Sequence, residues 1–98
     1  MKRAYMVTYD YKGTSEQYSA LFDELKTFVG WWHYIANSWL IISDDNAKEI
    51  FEKLKPHLDN DINLLVIEVG QDRQGWLPKK AWEWIKRNLP KYGLGRAG

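Results

Sequence analysis

The chain contains no cysteine, which excludes disulfide staples, thiolate zinc sites and cysteine nucleophiles and permits a reducing compartment. Any metal would have to rest on oxygen or imidazole ligands. An excess of one charge is missing too: 14 Lys and Arg stand against 13 Asp and Glu, for a net charge of +1. That balance argues against a protein that coats DNA and confines any nucleic-acid role to a local patch. No apolar run reaches the length of a membrane span, and no basic start leads into an apolar segment of the signal-peptide kind. The expectation is a soluble cytoplasmic protein without a membrane partner. Also absent are a Gly-rich phosphate loop, a Ser-His-Asp order and a His-x-x-x-His pair.

Aromatic residues, by contrast, are in surplus. Six tryptophans fall in 98 residues, a length that can bury somewhat over ~60% of its unfolded surface around one core and leaves no room for a second domain. Three of them lie in Gly30 to Ser43, GWWHYIANSWLIIS, with one tyrosine, one histidine and four aliphatic residues around a small polar break. So dense a run of β-favouring side chains predicts a hairpin: Trp31 to Ile35, a turn at Ala36-Asn37-Ser38, and Trp39 to Ser43. Alternation places Trp31, His33 and Ile35 on one face and Trp32 and Tyr34 on the other, while Trp39 and Ile41 oppose Leu40 and Ile42. Neither face is polar, so both need a cover.

The remaining elements follow from periodicity. Residues 3 to 11 alternate as a strand, with Tyr5, Val7 and Tyr9 opposite Ala4, Met6 and Thr8. Thr14 or Ser15 caps a helix carrying Tyr18, Leu21, Phe22, Leu25 and Phe28 on one stripe, and Gly30 stops it. Asp44-Asp45-Asn46 offers caps for a second helix whose stripe is Ala47, Ile50, Phe51 and Leu54, ended or kinked by Pro56. Residues 62 to 70 form a fourth strand, nearly apolar on both faces and therefore expected inside the sheet. Pro78 opens a third helix with Ala81, Trp82, Ile85 and Leu89 inward, and Pro90 ends it. The expected fold is α+β, a ferredoxin-like βαββαβ antiparallel sheet of order 4-1-3-2 with both long helices on one side and an added C-terminal helix. One domain covers residues 1–90, and the Gly-rich tail 91–98 reads as disordered.

Candidate site residues are few. Asp10 ends the first strand before a Lys-Gly loop and has the chemistry to hold a divalent cation, but one carboxylate binds metal poorly, and an aspartate that caps a loop is the commoner role. His33 lacks a catalytic partner nearby in sequence, which favours a packing role over a general base. Glu68 interrupts an apolar strand and needs a partner, with Arg3, Lys2 and His33 as candidates. Trp31, Trp32, Tyr34 and Trp39, with Glu68, form an expected interface, because base-stacking platforms carry cations among their rings and here the cations Lys79, Lys80, Lys86 and Arg87 sit on a helix. That quartet is the expected contact for a polyanion, against the plainer reading of a solvated helix face.

Tyr9-Asp10 closing strand one, Gly30-Trp31-Trp32-His33-Tyr34 opening the hairpin, Ser38-Trp39-Leu40-Ile41 on its return and Leu64-Leu65-Val66-Ile67-Glu68-Val69 in strand four resemble the small bacterial proteins of the SinR family, over about residues 3 to 86. At a greater distance the chain is similar to VapD-like ribonucleases and to the smaller subunit of CRISPR spacer-integration complexes. The resemblance implies a ferredoxin-like homodimer. From those relatives that are metal-dependent nucleases it implies a key aspartate at the end of strand one, here Asp10, and it matches Ser38 to a serine of the integration subunit's third strand. The functional expectation is a dimeric interaction module that binds nucleic acid or a protein partner. The alternative is an endoribonuclease or endonuclease in which two copies of Asp10 across the homodimer hold Mg²⁺ or Mn²⁺.

Overall fold

The first strand, β1 (Arg3–Tyr9), buries alternate residues on opposite faces, as its sequence pattern requires. In the computed structural model, which describes residues 2–10, 18–59 and 62–89, this strand lies inside a four-stranded antiparallel sheet. The expected caps Thr14 and Ser15 lie outside the described residues, as do Pro90 and the tail 91–98. Helix α1 (Ser19–Leu25) turns Leu21 and Leu25, four apart, toward the sheet. It ends before Gly30: Lys26 to Val29 form the turn, in which the Thr27 hydroxyl donates to the Glu24 carbonyl at 2.6 Å. Gly30 instead opens β2 (Gly30–Ile35), where a Cβ would stand 3.1 Å from the Ile42 side chain and 3.5 Å from the Trp84 ring. Its small size allows a close approach rather than a helix stop.

The hairpin closes through Ala36 and Asn37 into β3 (Ser38–Ser43), one residue sooner than expected, because Ser38 already pairs with Thr8 of β1. Trp32 opposes Leu40, yet Ile35 opposes Ser38, so His33 and Tyr34 together face the single residue Trp39. This bulge reverses the alternation and carries Ile35 to the Trp32 face, away from Trp31 and His33. Helix α2 (Ala47–Leu54) starts at a reciprocal cap: Asn46 Oδ1 accepts from the Glu49 N–H at 2.8 Å and Glu49 Oε1 accepts from the Asn46 N–H at 3.0 Å. Pro56 falls in a single 3₁₀ turn, Lys55–His57, that follows it.

Among the described residues strand β4 (Leu64–Glu68) pairs only with β1. The order across the sheet is β2-β3-β1-β4, which reads β4-β1-β3-β2 from the opposite edge. β4 is thus an edge strand, not the interior strand its apolar run suggested, and Leu65 and Ile67 are 54% and 50% exposed. Helix α3 (Lys79–Asn88) follows Pro78, and Leu89 leaves it in extended backbone, as a residue preceding proline must.

The helices occupy both faces. α1 and α2 cover Tyr5, Val7, Tyr9, Trp39 and Ile41, while α3 lies on the opposite face over Ala4, Trp32, Leu40 and Ile42 with Ala81, Ile85 and Leu89. The chain therefore supplies much of its own second cover. Of the side chains expected under α1 and α2, Leu21, Leu25, Ile50 and Leu54 are buried and Phe22 is packed at their margin. Phe51 is 37% exposed, because the turn that aims Ile50 and Leu54 at the sheet swings it toward the β4 edge beside Leu58, Ile62 and Leu64. Among the described residues no helix is long and apolar enough to cross a membrane.

Candidate functional site

Asp10 follows the last residue of β1 and is exposed. Its N–H donates to the Asn63 carbonyl at 3.0 Å and its Oδ2 accepts from Asn63 Nδ2 at 2.8 Å, so the residue fastens the end of β1 to the approach of β4. A shallow cleft of about 250 Å³ adjoins it, lined by Thr8, Tyr9, Asn63, Leu64 and Leu65. Among the described residues nothing else acidic lines that cleft, and no group of three or more His, Cys, Asp or Glu is placed to hold a metal ion. One carboxylate beside a neutral amide is a structural clasp and a weak ligand set.

The other polar expectations resolve into packing and pairing. His33 stacks on Trp39 with ring centres 4.1 Å apart, and its Nε2 lies 3.0 Å from the Ala36 carbonyl across the bulge. Glu68 meets Arg3, one of its three expected partners, at 3.9 Å. The Ser38 hydroxyl donates to Thr8 Oγ1 at 3.0 Å, and Thr8 donates on to the Asn37 carbonyl at 3.3 Å, a small hydroxyl chain beside the hairpin turn.

The five residues expected at an interface divide. Trp32 and Trp39 belong to the core of this chain: the Trp32 indole N–H donates to the Ala81 carbonyl at 3.3 Å and the Trp39 N–H to the Tyr9 hydroxyl at 3.1 Å, so both rings are buried with their polar ends satisfied. Neither is available to a second molecule. Trp31 and Tyr34 remain exposed, Trp31 lying under the Lys26 ammonium and Tyr34 resting on Trp32. Glu68 is partly exposed beside Arg3.

With Trp32 and Trp39 buried and Trp31 41% exposed, the most exposed tryptophan among the described residues is Trp76, at 99%. It stands at the mouth of an apolar groove of about 390 Å³ between the sheet and α3, whose walls include Met6, Ile35, Leu40 and Trp82. The loop carrying it is held by Arg73, whose guanidinium donates to the Gly70 and Gln71 carbonyls at 3.4 and 3.0 Å. Three residues after Trp76, α3 begins with Lys79 and Lys80, and its last turn carries Lys86 and Arg87. All four are exposed, and none has a carboxylate within ion-pair distance among the described residues. Lys2 adds to this end, sharing a cleft with Arg87. No family model, curated protein or solved structure matches the chain.

The sequence singled out the α3 cations but did not join Trp76 to them. The signal was present in their spacing, but it acquires meaning only once the neighbouring tryptophans are known to be buried.

Proposed function

We propose that the chain is a non-catalytic, cytoplasmic, ferredoxin-like module of the SinR type that works as a homodimer and binds single-stranded nucleic acid along α3. The observation that carries this reading is Trp76, a wholly exposed indole placed directly before a helix with four exposed cations that, among the described residues, have no ion-pair partner. An indole left wholly in water gains nothing from folding, so its apolar area is available to stabilise a ligand that covers it. A base stacks on such a ring without regard to its identity, and Lys79 and Lys80 are near enough in the chain to take the adjoining phosphates. The helix extends the cationic track about 12 Å, to Lys86 and Arg87. Four phosphate contacts give a binding constant that falls with salt at a slope of roughly −3 on logarithmic axes.

The nuclease alternative has less support, since Asp10 brings one carboxylate per chain and that carboxylate is engaged by Asn63. A gel-shift titration at low salt tests the module. Lys79→Glu with Lys86→Glu is expected to weaken binding of any single-stranded sequence by more than tenfold; unchanged binding would reduce the patch to a solvated helix face. Cleavage of RNA or DNA with Mg²⁺ or Mn²⁺ that Asp10→Asn abolishes would overturn the non-catalytic reading.

A further inference from the structure

We infer that the homodimer of this module forms edge to edge through β4, two copies pairing antiparallel about Val66 to make one eight-stranded sheet. The inference rests on the dimeric reading above and names its seam.

Among the described residues β4 pairs with β1 on one side alone. The Asp10 N–H bonds to the Asn63 carbonyl and the Val69 N–H to the Ala4 carbonyl, both at 3.0 Å. In an antiparallel ladder those bonds fix the phase: residues 63, 65, 67 and 69 direct their backbone groups at β1, so Leu64, Val66 and Glu68 direct theirs outward. Three N–H and three C=O groups thus form a free edge. The opposite edge, β2, is interrupted by its bulge at His33 and Tyr34, a common protection against strand addition. β4 has no bulge, no proline and no lysine, and its one charge, Glu68, is paired with Arg3. A straight, apolar edge of this kind is a template for another strand.

The strand is also complementary to itself. With the two-fold axis at Val66, Val66 exchanges both backbone bonds with the partner's Val66, and Leu64 does so with the partner's Glu68, which uses every outward group on both chains. Leu65 then faces the partner's Ile67 in the closer, non-hydrogen-bonded kind of pair, where side chains on one face meet. Centring on Glu68 instead would set two carboxylates together, and centring on Leu64 would leave Glu68 unpaired. On the helical side, exposed Phe51 with Leu58 and Ile62 borders Leu64 and extends the apolar strip past the backbone. Pairing five residues and closing these flanks buries on the order of 1,000 Å² in total, the lower limit for a specific interface, so a micromolar dimer is expected. α3 meanwhile occupies the sheet face that two copies would need to stack face to face.

The same axis separates the two Asp10 residues. Each lies beyond the end of β4 and one strand inward, which places them roughly 25 Å apart from strand rise and spacing. A shared metal between them is not compatible with this dimer.

The absence of native cysteine makes the register directly testable in the full chain. Val66→Cys brings the two new thiols opposite each other and is expected to cross-link under mild oxidation, whereas Leu65→Cys, whose two copies sit two residues out of register, is not. Sedimentation of the unmodified protein across the micromolar range is expected to show the mass rising from the 11.6 kDa monomer toward twice that value. Leu65→Lys with Ile67→Lys, at positions already exposed, is expected to hold it at the monomer mass with an unchanged circular dichroism spectrum. Equal cross-linking of both cysteine variants, or of neither, would overturn the seam, as would a dimer that survives the double lysine change. Failure here with intact oligonucleotide binding removes the seam and leaves the α3 reading in place; a clean cross-link with no oligonucleotide binding does the reverse.

Discussion

Replacing Trp32 distinguishes a core residue from a contact for a second molecule. The indole is 2% exposed beneath α3, and its N–H reaches the Ala81 carbonyl at 3.3 Å. Trp32→Ala removes that bond and leaves a void between β2, β3 and α3, a change of about 3–5 kcal/mol for a buried aromatic side chain. A domain of this size has ~5–15 kcal/mol in all, so the alanine variant sits near the limit of folding. Trp32→Phe is the more measurable change. It keeps most of the ring volume and loses one indole hydrogen bond, while the Ala81 carbonyl keeps a partner in the Ile85 N–H of the helix. We expect a loss of about 1–2 kcal/mol, which lowers the melting temperature by roughly 5–15 °C for a chain of this length. Urea titration monitored by far-ultraviolet circular dichroism reads both variants, at a concentration where the protein is monomeric. A Trp32→Ala protein within about 0.5 kcal/mol of the parent, weakened only in self-association, would refute the docking of α3 on this face.

Two further outcomes follow from single groups. The Tyr5 hydroxyl is buried without a hydrogen-bond partner among the described residues, so Tyr5→Phe is expected to leave stability unchanged or raise it by up to about 1 kcal/mol; a loss of that size, read by the same titration, would contradict the assignment. The Lys53 ammonium donates to Asp45 Oδ2 at 2.7 Å, and this hydrogen bond holds the Asp45 carboxyl below its ordinary range while raising Lys53 above its own. A carboxyl lowered in the folded state stabilises at any pH above its unfolded value and loses that effect as pH falls through the folded value, so the window lies below about pH 4. The stability difference between parent and Asp45→Asn is therefore expected to shrink as pH drops into that window, and a difference constant from neutral to acid would exclude the pair as its source.

How much of this was legible depends on what set each feature. β1, the β2-β3 hairpin and α2 were readable because local patterns decided them: the alternation of Tyr5, Val7 and Tyr9, the aromatic run around Asn37, and the cap residues Asp44-Asp45-Asn46 before an apolar stripe. The face of Ile35 was not, since one extra residue opposite Trp39 reverses the alternation and only strand pairing fixes that count. The burial of Trp32 and Trp39 was hidden for a similar reason. Their indole N–H groups find the Ala81 carbonyl, 49 residues away, and the Tyr9 hydroxyl, 30 residues away, which no local pattern reports. The run Leu64 to Ile67 was read as interior because apolar residues on both faces ordinarily mean cover on both sides; the fold covers one side of that strand and leaves its edge bare. Asp10 was correctly located at a strand end, but its engagement by Asn63 belongs to the tertiary structure.

The central claim, that Trp76 and the α3 cations form one surface for single-stranded nucleic acid, is tested most directly by Trp76→Ala. The side chain is 99% exposed and its removal leaves the packing of the domain intact, so any change in binding is not a change in folding. In a fluorescence-anisotropy titration of a labelled single-stranded oligonucleotide at low salt, loss of one stacked base is expected to weaken binding by about 1–3 kcal/mol, roughly 5- to 150-fold, with the salt slope unchanged because no phosphate contact is lost. Binding equal to that of the parent protein would contradict the account.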